Sequence, residues 1–236
     1  MNVLIMGGNG GIGRALIEHL LADERVERLD ATWRASTPPK IDDPRVHWHQ
    51  VDPGLESSVA ELAAGLPPLH RVIVAGGLLH DAKHGPEKTI RRFDPDFFLD
   101  SLRANTLPAL LLAKHLEPKL RHDQHSAFAV LSARVGSIGE NHRGGWYSYR
   151  SSKAALNMAL KTLAIEWRLR LPHCSVAALH PGTVDTTLSA PFQSRVPEGK
   201  LFTPEYAAGK LLAVIDQLGP ENSGQFWSWD GTELPW

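Results

Sequence analysis

A short apolar run, Asn2–Met6, stops at Gly7-Gly8-Asn9-Gly10-Gly11-Ile12-Gly13 and passes into residues 14–22, where Ile12, Leu16 and Leu20 recur with helical spacing. That order imposes the reading strand, glycine loop, helix. Glycines let the backbone turn sharply and approach a pyrophosphate, while the free N–H groups and dipole at the helix start attract its negative charge. Gly8, Gly10 and Gly13 fit G-x-G-x-x-G; Gly7, Gly11 and Gly13 fit G-x-x-x-G-x-G. The stretch therefore predicts a dinucleotide site with Gly7, Gly11, Ile12 and Gly13 as its cradle.

The alternation then repeats. Strand candidates follow at residues 28–33, 46–51, 72–75, 127–131, 175–179 and 225–229, with helical patterns at 59–66, 94–120, 149–170 and 204–218 and a loop at Thr37-Pro38-Pro39-Lys40. This predicts an α/β fold: a Rossmann-type doubly wound parallel sheet of about seven strands with helices on both faces. With 236 residues and 42% hydrophobic content, the chain is expected to form a single domain over residues 1–236.

Composition removes several classes of function. A net charge of -1 without a run of Lys and Arg gives a nucleic-acid partner no electrostatic footing. The longest apolar stretches, such as 107–113, fall short of the ~20 residues a membrane span needs, so no membrane partner is expected. The chain opens on Met-Asn-Val-Leu-Ile-Met rather than the basic, apolar, small-residue order of a signal peptide, and its single cysteine, Cys174, excludes an internal disulfide. A soluble, cytoplasmic protein is the expectation, with Cys174 a buried small hydrophobe. Twelve histidines show no H-E-x-x-H pairing, and His122 and His125 sit in a polar loop, so no metal site is expected. Trp227, Trp229 and Trp236 are expected to pack a core edge or a subunit interface.

The candidate binding residues sit at strand ends. The second strand closes on Thr32-Trp33-Arg34, and the Arg34 guanidinium suits a 2′-phosphate, which favours NADP(H) over NAD(H). Asp30 is the competing acid, but it lies earlier in the strand, where the plain reading is an exposed charge at a sheet edge. Asp52 caps the next helix, accepts a bond from an adenine amine, or both. Gly76-Gly77 either brings backbone close to a cofactor or makes a tight turn. Asn105, three residues before Pro108 in a long helical pattern, is either tolerated at a kink or functional. Ser132 and Ser137 follow the fifth strand, where hydroxyls point toward the ligand crevice. Pro181-Gly182-Thr183-Val184-Asp185-Thr186 reads equally as a mobile lid or a strand end. Residues 187–203, with Pro191 and Pro197, are the least regular long segment and the candidate for substrate contact.

Tyr149 and Lys153 lie four residues apart, which on a helix puts phenol and ammonium on one face. Taken alone this is an ordinary helical pair. In a crevice it is a proton shuttle, because a neighbouring positive charge stabilises a phenolate. A lowering of about three units from pH ~10 corresponds to roughly 4 kcal/mol.

Gly7-x-x-x-Gly11-x-Gly13, Asn105, Tyr149-x-x-x-Lys153 and Pro181-Gly182-x-Val184-x-Thr186, in this order and spacing, resemble the short-chain dehydrogenase/reductase family over nearly the whole chain. Arg134-Val135-Gly136-Ser137-Ile138 with Gly144-Gly145-Trp146-Tyr147 is most similar to its C-factor-like and sniffer-like carbonyl reductases. The resemblance implies hydride transfer between a nicotinamide and a small carbonyl or alcohol substrate, with Tyr149 exchanging the proton. It also implies that Lys153 lowers the Tyr149 pKa and holds ribose hydroxyls, and that Asn105 positions a water. Val184 and Thr186 would contact the carboxamide end and Asp52 the adenine, in a homodimer or homotetramer. Three positions depart from the pattern. Met6 replaces a threonine before the first glycine, which should weaken a loop hydrogen bond. Val74-Ala75-Gly76-Gly77 replaces Asn-Asn-Ala-Gly, so a packing substitute is expected. Ala133 stands where the catalytic serine belongs, leaving Ser132, with Ser137 behind it, as its replacement. This last departure motivates the alternative of a dinucleotide-binding sensor or signalling protein with weak or no catalysis.

Overall fold

The computed structural model describes residues 1–35, 37 and 40–236, with Arg195 described by its backbone alone; the Pro38-Pro39 part of the expected loop lies outside the described residues. Seven strands form one parallel sheet: β1 (Asn2–Met6), β2 (Arg28–Trp33), β3 (Val46–Gln50), β4 (Arg71–Val74), β5 (Ser126–Leu131), β6 (Cys174–His180) and, last in the chain, β9 (Gln225–Ser228). Their order is β3-β2-β1-β4-β5-β6-β9, and every pairing in the sheet is parallel. Threonine and valine residues Thr183–Val184 (β7) and the two residues Leu201–Phe202 (β8) make a separate two-stranded sheet between β6 and β9 in sequence.

Both faces of the sheet are buried at β1, β4, β5 and β6, which explains their nearly unbroken apolar runs, whereas the edge strand β3 has no fully buried residue. Side chains alternate with period two. Val3, Ile5, Ala129 and Leu131 pack with α1 (Gly11–Leu21) and α6 (Pro204–Ile215) on one face. Leu4, Met6, Phe128 and Val130 pack on the other with α2 (Glu56–Gly65), α4 (Leu107–Leu120) and α5 (Tyr147–Arg170). The chain runs outward from β1 to β3, then returns to β4 on the other side of β1. That reversal between β1 and β4 is the topological switch point where such sheets bind ligands.

Several boundaries differ from the sequence reading. The 94–120 pattern is two helices, α3 (Pro95–Asn105) and α4, separated at Thr106; Pro108 enters the first turn of α4, where a missing N–H costs little. No helix joins β2 to β3 among the described residues. Asp30, expected as an exposed edge charge, is fully buried inside the sheet. Arg28 donates to it through two nitrogens (2.8 and 2.9 Å), and His49 Nε2 lies 2.7 Å from it, so both oxygens are engaged. Asp52 does not cap α2, whose first turn begins after Leu55; its Oδ1 accepts from Gly54 N–H at 2.9 Å. Cys174 is buried, and burial pushes its thiol up to about 11. Trp236 stacks on Phe226 at 5.6 Å, and Trp229 packs edge-on to Phe202 at 4.6 Å. No described helix is long and apolar enough to cross a membrane, and no group of three His, Cys, Asp or Glu among the described residues could hold a metal ion.

Candidate active site

The switch point opens into a cleft of about 670 Å³, lined among others by Gly7, Thr32, Arg34, Asp52, Gly76, Gly77 and Asn105. Its floor is the glycine loop. Gly7 adopts φ +87°, and a Cβ on Gly13 would stand 2.1 Å from the Gly7 carbonyl, so these positions exclude side chains. Gly10 begins α1 without a side-chain cap, leaving the first helical N–H groups for an external acceptor. The loop's hydrogen bond, expected to be weak because of Met6, comes from the neighbouring strand. Thr32 Oγ1 accepts from Gly7 N–H at 2.9 Å and donates to the Met6 sulfur at 3.0 Å. Val74 joins the apolar core beside Met6 and Val130, the packing that replaces polar ties at this strand end. Arg34 is exposed, and no carboxylate among the described residues lies within 4.0 Å of it. These residues fit a dinucleotide: uncapped N–H groups for a pyrophosphate and an unpaired guanidinium beside the second strand.

Tyr149 and Lys153 share one buried face of α5, with Lys153 Nζ 5.9 Å from the phenol ring centre. Neither lines the large cleft, but the two regions meet: a Cβ on Gly77 would lie 3.2 Å from Asn105 Oδ1 and 3.7 Å from Lys153 Nζ. Lys153 donates to the Leu131 carbonyl at 2.9 Å. Gly136 makes this contact layer possible, because a Cβ there would sit 2.8 Å from that of Lys153. The expected lowering of the Tyr149 pKa is not found in the protein alone. Burial pushes the phenol well above its ordinary value and pushes Lys153 down to about 8. Both shifts have one cause, desolvation of the charged form.

Asn105 is a clamp. Its Oδ1 accepts from Leu78 N–H at 2.7 Å, and its Nδ2 donates to the Leu78 carbonyl at 2.8 Å and to Ser152 Oγ at 2.9 Å. These bonds tie the loop after β4 to α5. Ser132 follows directly on β5. It continues the even-numbered face of β5 toward α5, and its buried hydroxyl donates to Asn157 Oδ1 at 2.6 Å. Ser137 is also buried, after the turn at Arg134–Gly136, and its Oγ accepts from Glu140 N–H at 3.2 Å. At the other end, a Cβ on Gly11 would meet Thr186 Cγ2 at 2.8 Å, which brings the 181–186 segment over the glycine loop. Val184 is buried, and its carbonyl accepts from Ser189 Oγ.

Two residues escaped the sequence reading. One is Thr32, hidden inside a strand. The other is Glu87, in the long connection between β4 and α3. It is buried, its carboxyl accepts from Ser148 N–H at 3.2 Å and pairs with the Ser148 hydroxyl, and its carbonyl accepts from Trp146 N–H at 2.6 Å. Trp146 stands at the start of α5 with φ +56°, a costly conformation for a bulky residue, and no side chain of its own caps that helix. Glu87 supplies the cap from 61 residues away, one residue before Tyr149. A lone buried acid with no helical or strand period around it gives no sequence signal.

Fold and cleft together define a nicotinamide-dependent oxidoreductase built on a doubly wound sheet. The chain belongs to the short chain dehydrogenase family, whose pattern it matches over residues 1–196. It is 36% identical over 190 residues to the 1-hydroxy-2-glutathionyl-2-methyl-3-butene dehydrogenase of Rhodococcus sp. (strain AD45), covering 79% of this chain and 80% of that one. It is 39% identical over 132 residues to the C-signal protein of Myxococcus xanthus, covering 56% and 74%. Among solved structures, the NADPH-bound carbonyl reductase from chicken fatty liver superposes with a TM-score of 0.86 at 25% identity, covering 100% of this chain and 94% of the other. The Drosophila melanogaster carbonyl reductase Sniffer shares the fold at a TM-score of 0.86 and 24% identity, covering 100% and 99%.

Proposed function

We propose that the protein is an NADP(H)-dependent carbonyl reductase or alcohol dehydrogenase acting on a small molecule, with residues 187–203 contacting the substrate. The observation that carries this reading is the buried Tyr149–Lys153 pair set beside a dinucleotide-shaped cleft. A bound nicotinamide supplies or accepts the hydride at the carbonyl carbon. The chain's own work is at the oxygen. Tyr149, which keeps its proton in the protein alone, gives that proton to the carbonyl oxygen on reduction and takes it back on oxidation, so hydride plus proton balance carbonyl against alcohol. Lys153 presents a buried ammonium beside the phenol and binds ribose hydroxyls. Asn105 holds the adjoining backbone in place. Ser137 shares the substrate oxygen, because the Ser132 proton is committed to Asn157.

Cofactor contacts fall to Gly7, Gly11, Ile12 and Gly13 at the pyrophosphate, to Asp52, Gly76 and Gly77 along the adenosine side, and to Pro181, Val184 and Thr186 at the carboxamide end. Arg34, with no carboxylate among the described residues beside it, favours the 2′-phosphate of NADP(H), while Asp30 is withdrawn into its own ion pairs. The chicken neighbour's NADPH and the alcohol in the Rhodococcus relative's name support the cofactor and the substrate class. A second reading, a dinucleotide-binding signalling protein with weak catalysis, is favoured by Ala133 and by the C-signal relative.

One experiment separates them. The parent protein should oxidise NADPH faster than NADH in the presence of aldehydes, ketones or quinones. Tyr149→Phe should slow this by about 10²–10⁴-fold while leaving NADPH affinity intact. Tight NADPH binding with no turnover in the parent selects the signalling reading.

A further inference from the structure

A second cavity, of about 320 Å³, opens between residues 83–94 and Phe192 of the 187–203 segment. Contiguous rings join it to Tyr149: Phe192 lies 5.5 Å from Trp146, and Trp146 stands edge-on to Tyr149 at 6.2 Å. Backbone proximity agrees, since a Cβ on Gly145, four residues before Tyr149, would lie 3.9 Å from Lys88 Cα.

The charge of this cavity has no use in the hydride chemistry. Lys83, Lys88 and Arg92 line it, all exposed, and among the described residues no carboxylate stands within 4.0 Å of their charged nitrogens. The two acids in its wall are committed elsewhere. Glu87 turns its carboxyl to the start of α5, and Asp94 Oδ1 accepts from Asp96 and Phe97 N–H at the start of α3. His84, stacked on Phe97 at 4.9 Å, is held against Asp81 and Asp94, and the Asp81 hydrogen bond raises its pKa. Three free cations therefore face a space walled by Phe97, Phe192 and Pro86. The two neighbouring helix starts are capped by Glu87 and Asp94, so neither offers its N-terminus to a phosphate. Recognition falls to flexible single cations on side chains, which suits a carboxylate.

We propose that this cavity is a substrate subsite for a carboxylate, and that the preferred substrate is a carbonyl compound carrying one beyond an apolar or aromatic spacer. The inference rests on the proposed reductase activity and names the substrate class for it. Lys88 and Arg92 hold the anion, and the Phe192–Trp146 wall leads the spacer toward Tyr149.

The test is a matched pair of aldehydes, 4-formylbenzoate and its methyl ester, reduced with NADPH by the parent and by the Lys88→Gln/Arg92→Gln double variant. In the parent at low salt, kcat/KM should favour the carboxylate by about tenfold or more, and 0.5 M salt should narrow that ratio. The double variant should bring the ratio close to one. Reduction of both aldehydes with no preference in the parent, or a preference that survives in the double variant, overturns the subsite and leaves the reductase reading standing. Failure to reduce either aldehyde, with NADPH bound, overturns the reductase reading and the subsite with it.

Discussion

Lys153 is where burial and function pull against each other. Its ammonium is desolvated, which holds its pKa near 8 rather than 10.5, and among the described residues it has the Leu131 carbonyl and the face of the Tyr149 ring for compensation. A base whose folded pKa is depressed keeps its proton below that value and loses it above. If the charged form is what binds the ribose and supports Tyr149, kcat/KM for NADPH should be level below about pH 8 and fall about tenfold per unit above it, since this ratio reports the free protein. Lys153→Met should be slow at every pH and show no inflection. A parent profile that stays flat to pH 10 would assign the charge requirement to another group. The same depressed pKa makes the unfolded chain bind more protons between about pH 8 and 10.5, so this residue's contribution to stability rises with pH across that window.

At the scale of elements, the reactive helix is held from outside. Helix α5 starts on three left-handed residues, Gly144, Gly145 and Trp146, and its first turn is closed by Glu87 rather than by a neighbour in sequence. Glu87→Ala strands Ser148 N–H in a buried place and should cost about 2 kcal/mol or more of stability. As a positioning residue it should also lower kcat while NADPH affinity holds, with Glu87→Gln recovering part of both. A fall in melting temperature with unchanged kcat would leave Glu87 a structural cap only. This tether marks the limit of what was legible in the sequence. Strands and helices announce themselves because their apolar residues repeat locally, and the glycine loop because three positions admit no side chain. Tyr149 and Lys153 were legible through their spacing. Glu87, Thr32 and the commitment of Ser132 to Asn157 were not, because each depends on which residue a distant segment brings opposite. The burial that raises the Tyr149 pKa in the protein alone is hidden for a related reason: spacing puts a lysine nearby but says nothing of how deeply both are buried.

For the molecule as a whole, the outer face of α5 is an exposed apolar surface. Met158, Ile165 and Leu169 recur at intervals of seven and four on that helix and are 68, 58 and 88% exposed, on the side opposite the stripe of Leu156, Leu160 and Trp167 that packs against the sheet. Leu99 on α3 and Leu110 on α4 add exposed apolar surface. A stripe this regular on a charged surface supports the expected homodimer or homotetramer, because removing apolar area from water contributes roughly 25 cal/mol per Å². Light scattering on the eluting parent protein should therefore give a mass of two or four chains at micromolar concentration. Ile165→Glu with Met158→Glu places two like charges on the same stripe and should yield single chains that still bind NADPH, since the cleft, between β1 and β4 in the middle of the sheet, is lined by no residue of that stripe. A parent that already runs as one chain, or a double variant that keeps the parent's mass, would move the interface away from α5.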